Sequence, residues 1–218
     1  MRTEQLQQWH ILPNDHTLAR ALEKSKIDNI LDYQKDQLNV ALSHCKQFRH
    51  GIDIGANYGL MTYNMSKRFE HVSSFEIVPD INTCFKMNVD QFLLDNVSIY
   101  DCGLGDKETE VALNFNPQST FSTHINKDET GNVKVKTLDS FNFDNVDFIK
   151  MDVEGYEPLV IQGAMKTIAK FKPVILYERK GHSLRFGYEK SSVDDMLASL
   201  GYRALANVGS KNALIGVA

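Results

Sequence analysis

Cysteine is scarce in this chain of 218 residues: there are three, Cys45, Cys84 and Cys102, widely spaced, odd in number and without a Cys-x-x-Cys pair. That excludes a disulfide framework and a thiolate zinc site, and predicts reduced packing residues. The seven histidines show no His-x-x-x-His or similar ligand spacing, so each is expected to be an isolated surface or core residue. Long apolar runs are missing too. None approaches the ~18 residues of a membrane helix, and the opening Met-Arg-Thr-Glu-Gln-Leu-Gln-Gln lacks the apolar centre of a signal peptide. The expectation is a cytoplasmic protein with no membrane partner. Excess positive charge is also absent: the formal net charge is -4, which argues against a broad electrostatic hold on nucleic acid. Lys180, His182, Arg185 and Lys190 gather near one loop and read as a solvated surface.

What is present is globular in character, with 42% hydrophobic and 24% charged residues, enough for one α/β domain with a full core. From residue 48 onward strand-like and helix-like segments alternate, the pattern of a parallel sheet with helices on both faces. Strands are expected near 50–54, 72–76, 97–101, 146–151 and 173–177, and helices over 59–69 and 80–94, with Asp80 as N-cap of the second. Between the third and fourth strands, Glu110 to Asn114 and Val133 to Leu138 alternate like exposed strands around the polar stretch 116–132, read as a hairpin-like excursion or mobile loop. The tail predicts a helix at 191–200 and an antiparallel pair at 202–207 and 212–217 around Gly209-Ser210-Lys211. Residues 1–47 read as a helical preface, with helices at 16–26 and 29–46, lying across the sheet edge; 48–218 form the main domain. Leu31, Leu38, Val40, Ala41 and Leu42 are available for a packed face. Tyr33, Gln34 and Gln37 either reach over a bound cofactor or belong to a plain packing helix.

Two motifs carry chemistry. The first is Gly51-Ile-Asp-Ile-Gly-Ala-Asn-Tyr-Gly59, a strand running into a glycine turn and a helix. Gly55 permits a sharp turn with no side chain between backbone and ligand, and Gly59 lets the helix approach the strand. The spacing is not the Gly-x-Gly-x-x-Gly of dinucleotide binders, and Gly-Lys-Ser/Thr is lacking. Asp53 beside the turn would repel a pyrophosphate but suit a cation, which favours S-adenosylmethionine with its sulfonium and ammonium groups. Glu76 follows the next strand roughly 20 residues beyond the turn, where doubly wound nucleotide binders place an acid on the ribose hydroxyls. The second motif is Asp147-Phe-Ile-Lys-Met-Asp-Val-Glu-Gly-Tyr-Glu157, whose strand sends Lys150 and Asp152 to one face and brings Lys150, Asp152 and Glu154 to the glycine turn. Such charges are costly to bury unless used or paired. The alternative is an ion pair of Lys150 with Asp152 or Glu154. Glu157 is expected only to cap a helix.

Together with Phe75-Glu-Ile-Val-Pro79, Gly103-Leu-Gly-Asp106, Val135-Lys-Thr-Leu-Asp139 and Val174-Ile-Leu-Tyr-Glu178, these motifs resemble the FkbM family of S-adenosylmethionine-dependent methyltransferases over about residues 48–180. The resemblance implies the Rossmann-like class I fold, a seven-stranded, mostly parallel sheet with a C-terminal antiparallel hairpin. It also implies S-adenosylmethionine as donor and, usually, O-methylation of a small molecule or sugar. Ile77 stands where the family commonly has proline. On this reading Asp53 and the backbone of Gly55, Ala56 and Asn57 hold the methionine part, Gly59 starts the helix, and Glu76 holds the ribose. Ile77 and the stretch Asp101 to Leu104, including Cys102, Gly103 and Leu104, border the adenine. Asp152, also counted among the cofactor-binding residues, is the first choice of base, because neighbouring carboxylates oppose a neutral lysine at Lys150; Lys150 and Glu154 are the other catalytic candidates. Glu154, Glu178 and Tyr33 orient the acceptor. No metal site is assigned, although Asp152, Glu154 and Glu178 could collect Mg²⁺. The rivals are a nucleic-acid or protein nitrogen methyltransferase, disfavoured because Asn/Asp-Pro-Pro-Tyr is absent after the fourth strand, a non-catalytic binding module, and a nicotinamide dehydrogenase.

Overall fold

The computed structural model describes residues 8–26, 29–126 and 128–217. His50–Ile54 is buried at every position and forms β1 in the interior of the sheet. It is covered on both faces, and its polar residues His50 and Asp53 are buried with the rest. In chain order the strands are β1 (His50–Ile54), β2 (His71–Phe75), β3 (Val97–Tyr100), β4 (Gly103–Leu104), β5 (Thr109–Asn114), β6 (His124–Asn126), β7 (Val133–Lys136), β8 (Val146–Met151), β9 (Val174–Glu178), β10 (Arg203–Ala206) and β11 (Asn212–Gly216). Seven make the main sheet in the order β10-β11-β9-β8-β1-β2-β3. All neighbours are parallel except β11, which runs antiparallel to β9 and β10. This is the class I methyltransferase sheet that the sequence predicts. Its strand order reverses at β1, with β2 on one side and β8 on the other, so the crevice for a ligand opens above these carboxyl ends.

Successive residues of the central strands serve opposite faces. Phe148 and Leu176 pack with Leu38, Ala41, Leu42, Met61 and Met65 under helices Lys35–Leu42 and Leu60–Ser66. Ile149, Met151 and Ile175 pack with Val160, Ile161, Ile168 and Leu197 from the helices on the other side. Among the described residues no helix is long and apolar enough to cross a membrane.

Four expectations are corrected. Asp80 lies in the first turn of helix Pro79–Gln91, which has Val78 as N-cap and Pro79 leading; proline needs no amide donor there. The stretch 29–46 is not one helix: a 3-10 turn at Ile30–Asp32 ends at Tyr33, and Gln34, at φ +56°, restarts the chain as helix Lys35–Leu42. That helix crosses the face of the sheet rather than its edge, and Val40 points outward. The 116–132 excursion takes the hairpin-like of its two expected forms, with β5 antiparallel to both β6 and β7. It contains a 3-10 turn, Thr120–Ser122, and β6, and joins a small sheet in the order β4-β7-β5-β6.

The N-terminal segment is fastened to this frame. Trp9 packs against Phe92 with ring centroids 4.7 Å apart, and His10 exchanges hydrogen bonds with the Asn88 side chain. Asp15, almost fully buried, accepts from Tyr58 Oη at 2.8 Å, Thr120 Oγ1 at 2.6 Å and the Thr17 amide at 2.8 Å. One carboxylate thus ties the N-terminal strap to the glycine turn and to the excursion.

Candidate active site

The turn after β1 is shaped by a close approach. Gly55, at φ +75°, lies so near β8 that a Cβ would stand 2.0 Å from the Asp152 carbonyl oxygen. The Gly55 and Ala56 amides both donate to Phe75 O at 3.0 Å, which joins the turn to the end of β2. Asn57 donates its amide to Glu76 Oε2 at 2.8 Å, and Val78 donates to Glu76 Oε1 at 2.8 Å. Burial raises the Glu76 carboxyl above its ordinary value despite these two donors. Gly59, at φ +89°, starts helix Leu60–Ser66; a Cβ there would meet the Phe85 ring at 2.3 Å.

Above this turn lies a cavity of about 670 Å³, inside the ~300–1,000 Å³ range of small-molecule sites. Gly55, Ala56, Asn57, Glu76, Ile77, Gly103 and Leu104 line it. So do Lys150, Asp152, Glu154, Glu178 and Lys180, and Tyr33, Gln34, Gln37 and Phe121 roof it. The broken N-terminal helix explains the roof: its interruption at Tyr33 and Gln34 turns both toward the cavity. The Tyr33 hydroxyl is pushed up to about 12, by burial first and then by the charge of Asp152, so it stays a neutral donor.

Three expected cofactor residues do not reach the cavity wall. Asp53 is wholly buried beneath the turn, where Thr62 Oγ1 donates to it at 2.7 Å and Lys150 Nζ lies 3.0 Å away. Cys102 is a core residue behind Leu104, and Gly59 faces Phe85. Lys150 is corrected as well, both as a candidate base and as a partner of Asp152 or Glu154. It is the register partner of Asp53 across β1 and β8, and its ammonium donates to Gly55 O at 2.8 Å. Burial alone would lower its proton affinity, but the carboxylates of Asp53, Asp152 and Glu76 outweigh that and raise it. A lysine so held is a brace beneath the turn.

Asp152 is half-buried and lines the cavity, as does Glu154 beside it. Glu178 is pushed up to about 8, first by burial and then by the charges of Asp152 and Glu154. Lys180 and His182, read from sequence as solvated surface, instead attend these acids. Lys180 Nζ contacts Glu178 and lies 3.6 Å from Glu154, and His182 Nδ1 is 2.8 Å from Glu154. The strand period ends at Glu178: Gly181, at φ +90°, turns the chain and His182 begins a 3-10 turn, His182–Phe186, so no alternation in the sequence marks this grouping. Glu154, Glu178 and His182 offer ligand atoms within 4.8 Å of one another, with Lys180 already supplying a cation against both carboxylates. Glu157 does not cap its helix, whose N-cap is Tyr156 without a side-chain bond; it stands in the first turn and its Oε1 accepts from the Val153 and Gly155 amides of the preceding turn at 3.1 and 3.3 Å, and burial pushes it up to about 7.

Residues 53–204 match the family described as the Methyltransferase FkbM domain. The chain belongs to the FkbM methyltransferase family. The family and the fold are those of S-adenosylmethionine-dependent enzymes, and the glycine cradle and Glu76 fit that cofactor. This FkbM chain is 28% identical over 141 residues to Methyltransferase 1 of Beauveria bassiana, an alignment covering 51% of this chain and 57% of that protein. It is similar in fold to Methyltransferase FkbM from Methylobacillus flagellatus KT, with a TM-score of 0.55 and 17% identity, over 78% of this chain and 43% of that one. It is equally similar to SMU.1697c from Streptococcus mutans, solved in complex with SAH, with a TM-score of 0.55 and 13% identity, over 84% of this chain and 97% of that one. The FkbM chain thus spans little more than half the length of its curated relative.

Proposed function

We propose that the protein transfers a methyl group from S-adenosylmethionine to a hydroxyl of a small polyhydroxylated acceptor, a saccharide being the class the site favours. One observation carries this reading: a single cavity is lined both by a glycine cradle with Glu76 and by three further carboxyl side chains, Asp152, Glu154 and Glu178. When bound, the cofactor supplies a methyl group on a cationic sulfur, a donor already activated. The protein's task is therefore alignment and removal of one proton.

The bare backbone at Gly55, Ala56 and Asn57 admits the amino-acid part of the cofactor. Glu76 spends one lone pair of each oxygen on Asn57 and Val78 and keeps the others for two ribose hydroxyls. Ile77 and Leu104 give the adenine apolar walls; Gly103 is held bare because a Cβ would strike Ile77 Cδ1 at 2.5 Å. Asp53 contributes through Lys150, which fixes the Gly55 carbonyl. At the acceptor end Asp152 takes the hydroxyl proton, while Glu154, Glu178 and the Tyr33 hydroxyl orient the substrate. Of the N-terminal preface, the described residues 8–26 and 29–47 serve as the roof of the domain that begins at residue 48. The Lys180 ammonium neutralises the carboxylates that Mg²⁺ would otherwise collect, so turnover is expected to survive exhaustive chelation.

The deciding experiment is calorimetry with S-adenosylhomocysteine (SAH) followed by incubation with methyl-labelled cofactor and a fractionated extract. Label is expected on a saccharide-bearing small molecule; label on protein or nucleic acid would redirect the assignment. Asp152→Asn is expected to retain SAH affinity and slow turnover about a hundredfold or more. Unchanged turnover would remove Asp152 from the role of base.

A further inference from the structure

Glu154 sits at φ +54°, a left-handed conformation uncommon for a residue with a Cβ. Its neighbour Gly155, at φ +107°, lies so close to the segment after β9 that a Cβ would stand 2.5 Å from the His182 carbonyl carbon. Arg185 Nη1 donates to Glu154 O at 3.2 Å, which fastens the strained turn from the same side. Backbone strain held by converging contacts beside a cavity is a mark of a working part.

The side chains close a ring. Lys180 Nζ lies against the Oε1 atoms of Glu154 and Glu178, whereas His182 Nδ1 is 2.8 Å from Glu154 Oε2 and 3.8 Å from Glu178 Oε2. Glu154, Glu178 and Lys180 line the large cavity, and His182 stands behind them. Each carboxylate oxygen so engaged keeps a further lone pair. Because Lys180 supplies the counter-charge, a neutral polyol suits the site better than an ammonium compound.

We propose, resting on the methyltransferase reading above, that His182 is a positioning residue which, with Lys180, holds Glu154 and Glu178 side by side as a clamp for two adjacent hydroxyls of the acceptor. The ligand class is a vicinal diol, as a pyranoside carries. The clamp selects and aligns; Asp152 handles the proton.

The test uses the full chain saturated with SAH and probes it with methyl glucopyranoside, galactopyranoside, mannopyranoside and xylopyranoside, read by saturation-transfer NMR. At least one glycoside is expected to bind, and removing one of its adjacent hydroxyls should weaken it about tenfold or more. His182→Ala should weaken the same glycoside about tenfold. His182→Asn, which places an amide nitrogen near the position of Nδ1, should restore most of that loss. SAH affinity should stay within about twofold in both variants, reporting an intact fold, since a tenfold loss requires a lost interaction. The proposal is overturned if no glycoside binds the SAH-loaded protein, if His182→Ala leaves glycoside binding unchanged, or if Asn does no better than Ala. In each case retained SAH binding leaves the methyltransferase reading standing, whereas failure of SAH to bind removes both.

Discussion

Replacing Lys150 with methionine leaves Asp53 charged, wholly buried and facing an apolar side chain where an ammonium stood 3.0 Å away. Removing one partner of a buried pair costs about 3–5 kcal/mol. The Gly55 carbonyl also loses its donor at 2.8 Å, worth about 1 kcal/mol more. Thr62 still donates to Asp53, so the lower part of the range is the better expectation, about 3–4 kcal/mol. That is a large share of the ~5–15 kcal/mol of a typical domain. Urea denaturation measures it, followed by circular dichroism and by the fluorescence of Trp9, the only tryptophan, which packs in the roof. In the double variant Asp53→Asn with Lys150→Met the buried charge is gone, and at least about half the lost stability should return, because the penalty belongs to the orphaned carboxylate. A Lys150→Met protein destabilised by under about 1 kcal/mol yet catalytically dead would refute the reasoning and return Lys150 to the chemistry.

Gly55→Ala should lose stability by about 2–4 kcal/mol, from a positive φ and an overpacked turn, and should weaken SAH binding severely; calorimetry showing near-normal affinity would mean that β1 and β8 can part without harm. For Asp15, burial pushes the carboxyl up but hydrogen bonds from Thr120, Thr17 and Tyr58 outweigh it and hold it below 3.8. Its contribution is therefore present above pH 3.8 and lost as pH falls through the lower folded value. The stability gap between wild type and Asp15→Asn, about 1–3 kcal/mol at neutral pH, should narrow in acid; a gap that widens there would contradict the sign. Glu157 titrates the other way. Its folded value of about 7, against 4.5 when free, means that its contribution is complete below pH 4.5 and lost as pH rises through about 7. Glu157→Gln keeps an acceptor for Val153 and Gly155 and should flatten that decline, gaining on wild type at pH 8 in thermal melts.

The sheet was legible because strand-like and helix-like segments alternate along the chain, and the glycine turn because few residues other than glycine survive at Gly55. Glu76 was legible by its place at the end of the second strand. Asp53 was not: β1 is buried on both sides, so its alternation carries no inside-outside signal, and its partner Lys150 is set by a register between strands far apart in sequence. Lys180 and His182 were hidden for a related reason. A run of charge after a strand normally faces water, and only Gly155, pressed on the His182 backbone, draws this one inward. The excursion reads from sequence as either a hairpin or a mobile loop because Thr120 and its neighbours are polar, yet Thr120 is buried by its bond to Asp15, 105 positions away. Such a contact leaves no local trace.

The Asp15 clasp separates this molecule into two inheritances. The floor of the site comes from strand ends, whose side chains are locked by register and core packing, and each alteration there disturbs the whole sheet. The ceiling comes from two segments distant in sequence that meet at one carboxylate, and the connecting loops within them accept insertion and replacement more readily than the elements they join. A descendant that preserved Asp15 and Thr120 could exchange the rest of its ceiling, and with it the shape of molecule it admits, while leaving the donor end untouched.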